Sequence, residues 1–254
     1  MGGLFCGRPA PKGGQQALEM SVDYRNYFEY RQVKPGNYTG FALPPYLSSV
    51  FSTVPNPRVL DFGCGFGQML NALRDAGVAE AEGLDIEPEA IKFCRSQGLH
   101  CIDGLANPNF YRERSGYYDF IVMSHVLEHF PKEEIIPQLE RLKGLLKPEG
   151  ALVVMVPNAQ SNTGAYWAYE DFTHYLLFTS GSLYHVLRAA GYRDIEFLDV
   201  ECTAGLPAWK RFLKRALLKI YVVNYRFWNR ITSSAVHQPS PIVFSYEIKA
   251  LARV

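Results

Sequence analysis

Glycines and a carboxylate stand together near residue 60 at a spacing that suits ligand binding. The apolar stretch RVLDF at 58–62 contains Asp61, and Gly63, Gly65 and Gly67 follow directly. Glycines let a backbone turn sharply and approach a ligand without a clash from Cβ. The helix expected beyond them supplies N–H groups and the positive end of its dipole. This pattern predicts a ligand-binding loop at the end of a strand.

The order of the glycines separates two classes of ligand. A dinucleotide fingerprint, GxGxxG, needs a third glycine three positions after the second, and Gln68 occupies that place. Asp61 stands two residues before the first glycine, where a carboxylate suits a cation such as the amine of a methionine moiety and opposes a pyrophosphate. The loop therefore favours a sulfonium cofactor. An NAD(P)-dependent oxidoreductase or epimerase is the alternative class.

Two more acids end later strands. Asp85, in GLDIE at 83–87, can accept hydrogen bonds from both hydroxyls of a ribose, a feature that dinucleotide enzymes share. Asp103, followed by Gly104, can accept a hydrogen bond from the exocyclic amine of adenine. A turn or capping role is the competing interpretation of Asp103.

The elements that must position these acids alternate regularly from residue 58. Helical segments separate seven strand-like segments, which are RVLDF, AEGLDIE, LHCIDG, YYDFIVMSHVL, ALVVMVPN, RDIEFLDVEC and PIVFSYEIKALARV. Nearly continuous apolar strands that alternate with helices predict an α/β fold, a doubly wound and mostly parallel sheet with helices on both faces. Such sheets bind ligands at the carboxyl ends of their strands.

Five segments together resemble the class I S-adenosylmethionine-dependent methyltransferases. They are VLDFGCGFG at 59–67, GLDIE at 83–87, CIDG at 101–104, YDFIVMSHVLEHF at 118–130 and LKPEGALVVMVPN at 146–158. The resemblance covers roughly residues 58–200, with a final strand near 242–254. It implies a Rossmann-like sheet of seven strands in which the last strand is antiparallel and lies between the fifth and the sixth.

The resemblance also implies where S-adenosylmethionine binds. Asp61 and the glycines would hold its methionine end, and Asp85 its ribose. Asp103 would contact adenine, and Ser124 with His125 would line the sulfonium side. The predicted cofactor-binding residues are Asp61, Gly63, Cys64, Gly65, Gly67, Asp85, Ile86, Asp103, Gly104, Ser124 and His125. Cys64 is interpreted as a small apolar filler, because the sequence shows no catalytic partner for it.

The segment at 171–192 resembles the branch of small-molecule methyltransferases that includes ubiquinone-biosynthesis and cell-surface glycan enzymes. We therefore expect a small-molecule or glycan acceptor, methylated at oxygen. An alcohol must lose its proton, and histidine is the natural base near neutral pH. His174 is the first candidate base, although it could equally fix its loop, and His129 is the rival. A non-catalytic cofactor-binding partner subunit is a further alternative.

Other features restrict the cofactors and the cellular context. His125 and His129 could share a helical face, but no third ligand is evident, and we expect no metal. The chain has five cysteines without CxxC or zinc-ribbon spacing, which predicts reduced thiols in a cytoplasmic protein. A net charge of +1 predicts no nucleic-acid partner. The oligomeric state stays open.

The domain organisation is read from composition. Residues 1–20, rich in Gly, Pro and Gln, are expected to be disordered, and residues 21–57 to form an N-terminal cap. The methyltransferase domain would span 58–254, with a basic insertion at about 205–235.

The basic insertion holds seven Lys and Arg residues and no acid, with apolar side chains at helical spacing. This pattern predicts a basic amphipathic helix at 208–231 that can lie on an anionic membrane. A helix packed on the domain with a solvated basic face is the competing interpretation.

Overall fold

The alternating segments form one seven-stranded sheet in the computed structural model, which describes residues 27–38, 40–236 and 241–254. The predicted disordered segment, 1–20, lies outside the described residues. The strands are β1 Arg58–Phe62, β2 Glu80–Asp85, β3 Cys101–Asp103, β4 Tyr118–Ser124, β5 Leu146–Pro157, β6 Arg193–Phe197 and β7 Glu247–Arg253.

The strand order is β3-β2-β1-β4-β5-β7-β6. Neighbouring strands from β3 to β5 are parallel, whereas β7 runs antiparallel to both β5 and β6. The predicted doubly wound sheet, with its last strand inserted between the fifth and sixth, is confirmed. Because β1, β2 and β4 are parallel neighbours, their carboxyl ends meet at one edge of the sheet.

Helices connect the strands and cover the sheet. The α-helices are α1 Tyr27–Tyr30, α2 Pro45–Phe51, α3 Gln68–Asp75, α4 Pro88–Ser96, α5 Phe110–Glu113, α6 Lys132–Leu145, α7 Gly164–Glu170, α8 Ser180–Ala189 and α9 Ala208–Ile231. Short 3-10 turns lie at Pro35–Tyr38 and Leu127–His129. The structure thus places a 24-residue helix where the basic insertion predicts one.

Successive side chains of a strand point to opposite faces, so each strand contributes to two cores. On one face Leu60 and Leu152 pack with residues of α6 and α8. On the other face Val59 and Val153 pack with residues of α2 and α3. All four are fully buried, which is why the strands read as continuous apolar runs rather than as an alternation.

The last strand is shorter than predicted. Residues 241–246 lie outside β7, although the whole stretch from 241 to 254 reads as one strand. The reason is Asn158, a fully buried residue after β5, whose side-chain amide donates to the carbonyls of Val243 and Ser245, both at 2.8 Å. These two carbonyls are satisfied by a side chain instead of a neighbouring strand.

We predict that Asn158→Ala destabilises the fold by roughly 2–4 kcal/mol, because it leaves two carbonyls unsatisfied beside a fully buried side chain. Urea unfolding, with the free energy of unfolding as the measured quantity, tests this. Asn71→Ala, at a half-buried position of α3, is the matched control. An equal decrease in the free energy of unfolding of the two variants would contradict this stabilising role of the Asn158 hydrogen bonds.

Candidate cofactor and acceptor site

A cavity of about 580 Å³ opens at the carboxyl ends of the central strands. Seven of the predicted cofactor-binding residues line it, namely Gly63, Cys64, Gly65, Asp85, Ile86, Ser124 and His125. The other four, Asp61, Gly67, Asp103 and Gly104, are described residues that do not line it. His129 and His174, the two candidate bases, lie on the same cavity wall as His125.

Two glycines of the loop have different structural roles. Gly63 has φ +77°, and a Cβ added there would lie 2.3 Å from Cγ2 of Val126, so this glycine permits close packing. Gly65 has φ +51°, and a Cβ there would contact only the Phe28 ring, at 3.6 Å. Gly65 is therefore the position where the backbone is exposed to an incoming ligand.

The Asp85 carboxylate holds the glycine loop in place. Its Oδ2 accepts a hydrogen bond from the backbone N–H of Gly65 at 2.7 Å. Its Oδ1 accepts from Ile86 and Glu87 at 2.8 and 2.9 Å. Burial raises the pKa of Asp85 against the opposing effect of these N–H groups. Since a carboxylate has about four acceptor sites, one remains for a ribose hydroxyl. Glu87 also lines the cavity, and contact of either residue with a ribose stays a prediction.

Asp61 is a buried carboxylate to which none of the described residues donates a hydrogen bond from a side chain or from the loop. Burial, together with the negative charge of Asp85 and the nearby Cys101, raises its pKa to about 8. An ammonium group beside the loop would supply the missing positive charge. This carboxyl group suits the amine of a methionine moiety, and contact between the two stays a prediction, since Asp61 lies behind the residues that line the cavity.

Asp103 adopts the turn role that competed with adenine contact. Its Oδ1 accepts hydrogen bonds from the backbone N–H groups of Leu105 and Ala106, both at 3.0 Å. The carboxylate thus stabilises the turn after β3. Contact with adenine through Asp103 and Gly104 stays a prediction.

Three buried thiols lie under the glycine loop. The Sγ atoms of Cys64 and Cys101 are 3.5 Å apart, and the Cys94 thiol donates to the Gly65 carbonyl at 3.2 Å. Hydrogen bonds with Cys101 and Cys94, and burial, hold the pKa of Cys64 well above its usual range. A protonated, buried thiol fills space and supports the loop, as the sequence suggests for Cys64.

His125 carries a positive charge between two glutamates. Its Nε2 lies 3.1 Å from Oε2 of Glu247, and its Nδ1 lies 3.4 Å from Oε1 of the fully buried Glu128. Desolvation by the surrounding protein opposes protonation, but the hydrogen bond to Glu247 and the negative charges of the two glutamates prevail and raise the pKa of His125 to about 10. An imidazolium cannot accept a proton, so His125 is not a base at neutral pH.

His129 is oriented by a chain of hydrogen bonds. The Thr173 hydroxyl donates to Oδ1 of Asp171 at 2.5 Å and lies 2.8 Å from Nδ1 of His129. Burial opposes ionisation of Asp171, but hydrogen bonds from Thr173 and Tyr27 hold its pKa below the usual range, so it only accepts. The hydroxyl proton therefore points to Asp171, and Nδ1 of His129 must donate. The lone pair of His129 is then on Nε2, and burial lowers its pKa.

His174 is held differently. Its Nδ1 donates to the backbone carbonyl of Trp167 at 2.8 Å. Its Nε2 lies 3.6 Å from Oδ2 of Asp171 and 3.9 Å from Oε1 of Glu128. Both nitrogens of His174 thus face groups of the protein, which suits a residue that fixes the loop after β5. The two imidazole rings pack edge to face, with centroids 4.7 Å apart.

Residues of the predicted N-terminal cap close the cavity. Tyr27 donates to Oδ2 of Asp171 at 2.6 Å, and Arg31 forms an ion pair with the same carboxylate. Phe28 packs on Phe66 of the glycine loop, with ring centroids 4.5 Å apart. The sequence predicts a cap at 21–57, but it does not reveal that Asp171 is the partner of these residues.

Two groups of described residues bring potential metal ligands together, although the sequence predicts a reaction without a metal. Glu128, His129 and His174 each place a ligand atom within 4.8 Å of the others. Cys64, Cys94 and Cys101 do the same. The absence of a metal requirement therefore stays a prediction that chelation can test.

We predict that binding of S-adenosylhomocysteine, the product form of the expected cofactor, releases a proton from Asp61. With a pKa of about 8, Asp61 is mostly protonated at pH 7 in the ligand-free protein, and the ligand's ammonium group favours the carboxylate. Affinity should therefore rise with pH up to about 8. Calorimetry in buffers of different ionisation enthalpy measures the released proton.

Asp61→Asn should abolish this proton release and weaken binding by about 10- to 100-fold, the cost of losing one charge-assisted hydrogen bond. Asp75→Asn, at an exposed position of α3, is the control and should behave as the unaltered protein. Binding that releases no proton, or that Asp61→Asn leaves unchanged, would contradict this role of Asp61.

Comparison with known proteins places the site in a family. The family model described as "Methyltransferase domain" matches residues 29–197. A ubiquinone biosynthesis O-methyltransferase of Xylella fastidiosa (strain 9a5c) is 29% identical over 194 residues, 73% of this chain and 72% of that protein. One of the same name from Bordetella avium is 29% identical over 110 residues, and the match spans only 44% of its length.

Solved structures share the fold. A SAM-dependent methyltransferase from Archaeoglobus fulgidus superposes with a TM-score of 0.59 at 20% identity, covering 90% of this chain and 98% of that one. Human N-acetylserotonin methyltransferase in complex with SAM gives 0.53 at 14% identity, covering 89% and 55%. With the sheet order and the glycine loop, the family match identifies this chain as a member of the class I S-adenosylmethionine-dependent methyltransferases.

Proposed function

We propose that this enzyme methylates an oxygen atom of a small-molecule or glycan hydroxyl, and that His129 is the base that takes the hydroxyl proton. The observation that carries the proposal is the chain from His129 through Thr173 to Asp171, which assigns the proton to Nδ1 and the lone pair to Nε2 of a residue that lines the cavity. The relatives named O-methyltransferases support the choice of oxygen.

Bound S-adenosylmethionine supplies an electrophilic methyl group on a sulfonium. The acceptor oxygen forms the new bond to the methyl carbon while the carbon–sulfur bond breaks and its electron pair stays on sulfur. Nε2 of His129 takes the hydroxyl proton, and the Asp171 carboxylate, acting through Thr173, stabilises the resulting imidazolium. Positioning of the two reactants provides much of the acceleration in such a displacement.

His129 is preferred to His174 because of what their nitrogens face. Nε2 of His174 is directed at the carboxylates of Asp171 and Glu128. His129 has its Nδ1 proton committed to Thr173, and burial lowers its pKa, so it is neutral and able to accept a proton at pH 7. Of the two candidate bases that the sequence offers, we therefore propose His129 rather than His174.

The size and closure of the cavity support a small acceptor portion. Its volume of about 580 Å³ lies within the range usual for small-molecule sites, and the cofactor must share it with the acceptor. Tyr27 and Arg31 fasten the N-terminal segment to Asp171 across the cavity. This closure keeps water away from the reacting atoms.

We predict that turnover with a labelled methyl donor selects hydroxyl acceptors. A panel of phenols, sugar hydroxyls and matched primary amines, assayed with and without a chelator, tests both the acceptor atom and the metal requirement. Label should enter hydroxyl compounds and resist chelation. Label confined to amines would overturn the choice of oxygen, and loss of activity on chelation would point to Glu128, His129 and His174 as metal ligands instead.

We predict that His129→Ala lowers kcat by about 10²- to 10⁴-fold, the usual contribution of general base catalysis, without changing the affinity for S-adenosylhomocysteine. Thr173→Val should lower kcat by a smaller factor, because the lone pair is then no longer fixed on Nε2. His185→Ala, at an exposed position of α8, is the control and should match the unaltered enzyme.

The pH profile gives an independent readout of the same residue. Because burial lowers the pKa of His129, the acidic limb of kcat/KM should fall below about pH 6.5, the value of an unperturbed histidine. A His174→Ala variant that loses turnover while His129→Ala keeps it would reverse the assignment of the base.

A further inference from the structure

Most large apolar side chains of helix α9, Ala208–Ile231, are exposed to solvent. No residue of this helix is buried. Phe212 is 76% exposed, Val223 68% and Ile220 67%. A helix that packs on a domain normally directs its apolar stripe at the core. In α9 the apolar stripe faces outward, and none of the described residues covers it.

The side of α9 that faces the domain is narrow. Five positions of α9 are partly buried, and four of them, Leu218, Val222, Tyr225 and Asn229, recur at intervals of three or four residues, as one helix face requires. The fifth, Ala216, is a small residue outside this row. The Tyr225 ring packs on Phe244, with centroids 4.9 Å apart. The opposite side is the outer apolar face, which consists of Trp209, Phe212, Leu213, Ile220, Val223, Phe227 and Ile231.

A basic stripe borders the outer apolar face. It consists of Arg215, Lys219, Arg226 and Arg230, whose spacings of four, seven and four residues align them along the helix. All four are exposed, and Arg215 also pairs with Glu201 at the surface. The helix contains seven basic residues and no acid. Its charge therefore complements an anionic surface.

We propose that α9 docks on an anionic lipid surface, with the outer apolar face at the acyl boundary and the basic stripe on the headgroups. The two tryptophans, Trp209 and Trp228, lie near the two ends of the helix, and tryptophan favours the boundary between apolar and polar layers. None of the described helices is long and apolar enough to cross a membrane, so α9 lies in the plane of the surface.

A second copy of this chain is a poorer occupant. Two α9 helices face to face would bring basic stripes together without any acid on either helix to compensate. An anionic bilayer satisfies the apolar face and the cations at once. Charge complementarity therefore selects lipid over self-association.

Helix α9 contacts two segments that lie close to the cavity. Tyr221 donates from its hydroxyl to Oδ1 of Asn162, in the loop that leads to α7. Its ring packs on Phe244 at 4.9 Å, two residues from Tyr246, which lines the cavity. Helix α9 is therefore anchored, on the side opposite its outer apolar face, to segments that border the cavity.

Flotation of the full chain with vesicles tests the proposal. The protein should float with mixed phosphatidylcholine and phosphatidylglycerol vesicles, should stay behind with phosphatidylcholine alone, and should dissociate as salt is added. The triple variant Lys219→Gln, Arg226→Gln, Arg230→Gln should lose roughly a hundredfold in partitioning, at ~1 kcal/mol for each basic residue. Phe212→Ser with Phe227→Ser should also abolish flotation.

A matched triple variant, Arg74→Gln, Lys92→Gln and Arg112→Gln, removes three exposed cations elsewhere and should float normally. Unchanged binding of S-adenosylhomocysteine shows that each variant is folded and keeps docking separate from catalysis. Equal flotation with both vesicle types, or equal loss in the two triple variants, would overturn the proposal. So would a concentration-dependent dimer that the Phe variants dissociate, because it would identify a second copy as the occupant.

Discussion

The hydrogen bonds that the Asp85 carboxylate accepts are the interaction on which the rest of the site depends. The carboxylate accepts three backbone N–H groups, one of them from Gly65, and so ties the end of β2 to the loop that follows β1. That tie fixes a loop whose φ values suit glycine and leaves the backbone of Gly65 exposed to a ligand. The parallel order of the strands makes the tie possible, since it brings both strand ends to one edge.

Electrostatics then divide the cavity into two parts. At the loop, the carboxyl groups of Asp61 and Asp85 lie close together, and the raised pKa of Asp61 means that a cationic ligand would favour its ionised form. On the far wall His125 is charged between its two glutamates, whereas His129 stays neutral. Two histidines four residues apart thus differ in protonation state because their partners differ, and of these two we propose His129 as the proton acceptor.

Secondary structure depends on local patterns and could be predicted from the sequence. Contacts between residues far apart in the chain could not. The alternation of strands and helices predicted the sheet, and residue spacing predicted a helix with the bounds of α9. The link from Tyr27 and Arg31 to Asp171 joins residues 140 or more apart, which no spacing reveals. The choice between His129 and His174 needed the direction of the Thr173 proton. Likewise, helical periodicity shows that α9 is amphipathic but not which face packs on the rest of the domain.

A crystal structure with S-adenosylhomocysteine tests the central claim most directly. The account predicts the ligand's amine within hydrogen-bonding distance of the Asp61 carboxylate, with its ribose at Asp85. The sulfur should be directed toward the wall that carries His129. A ligand bound elsewhere in the cavity, with the Asp61 carboxylate still uncompensated, would contradict the account of how this loop selects its cofactor.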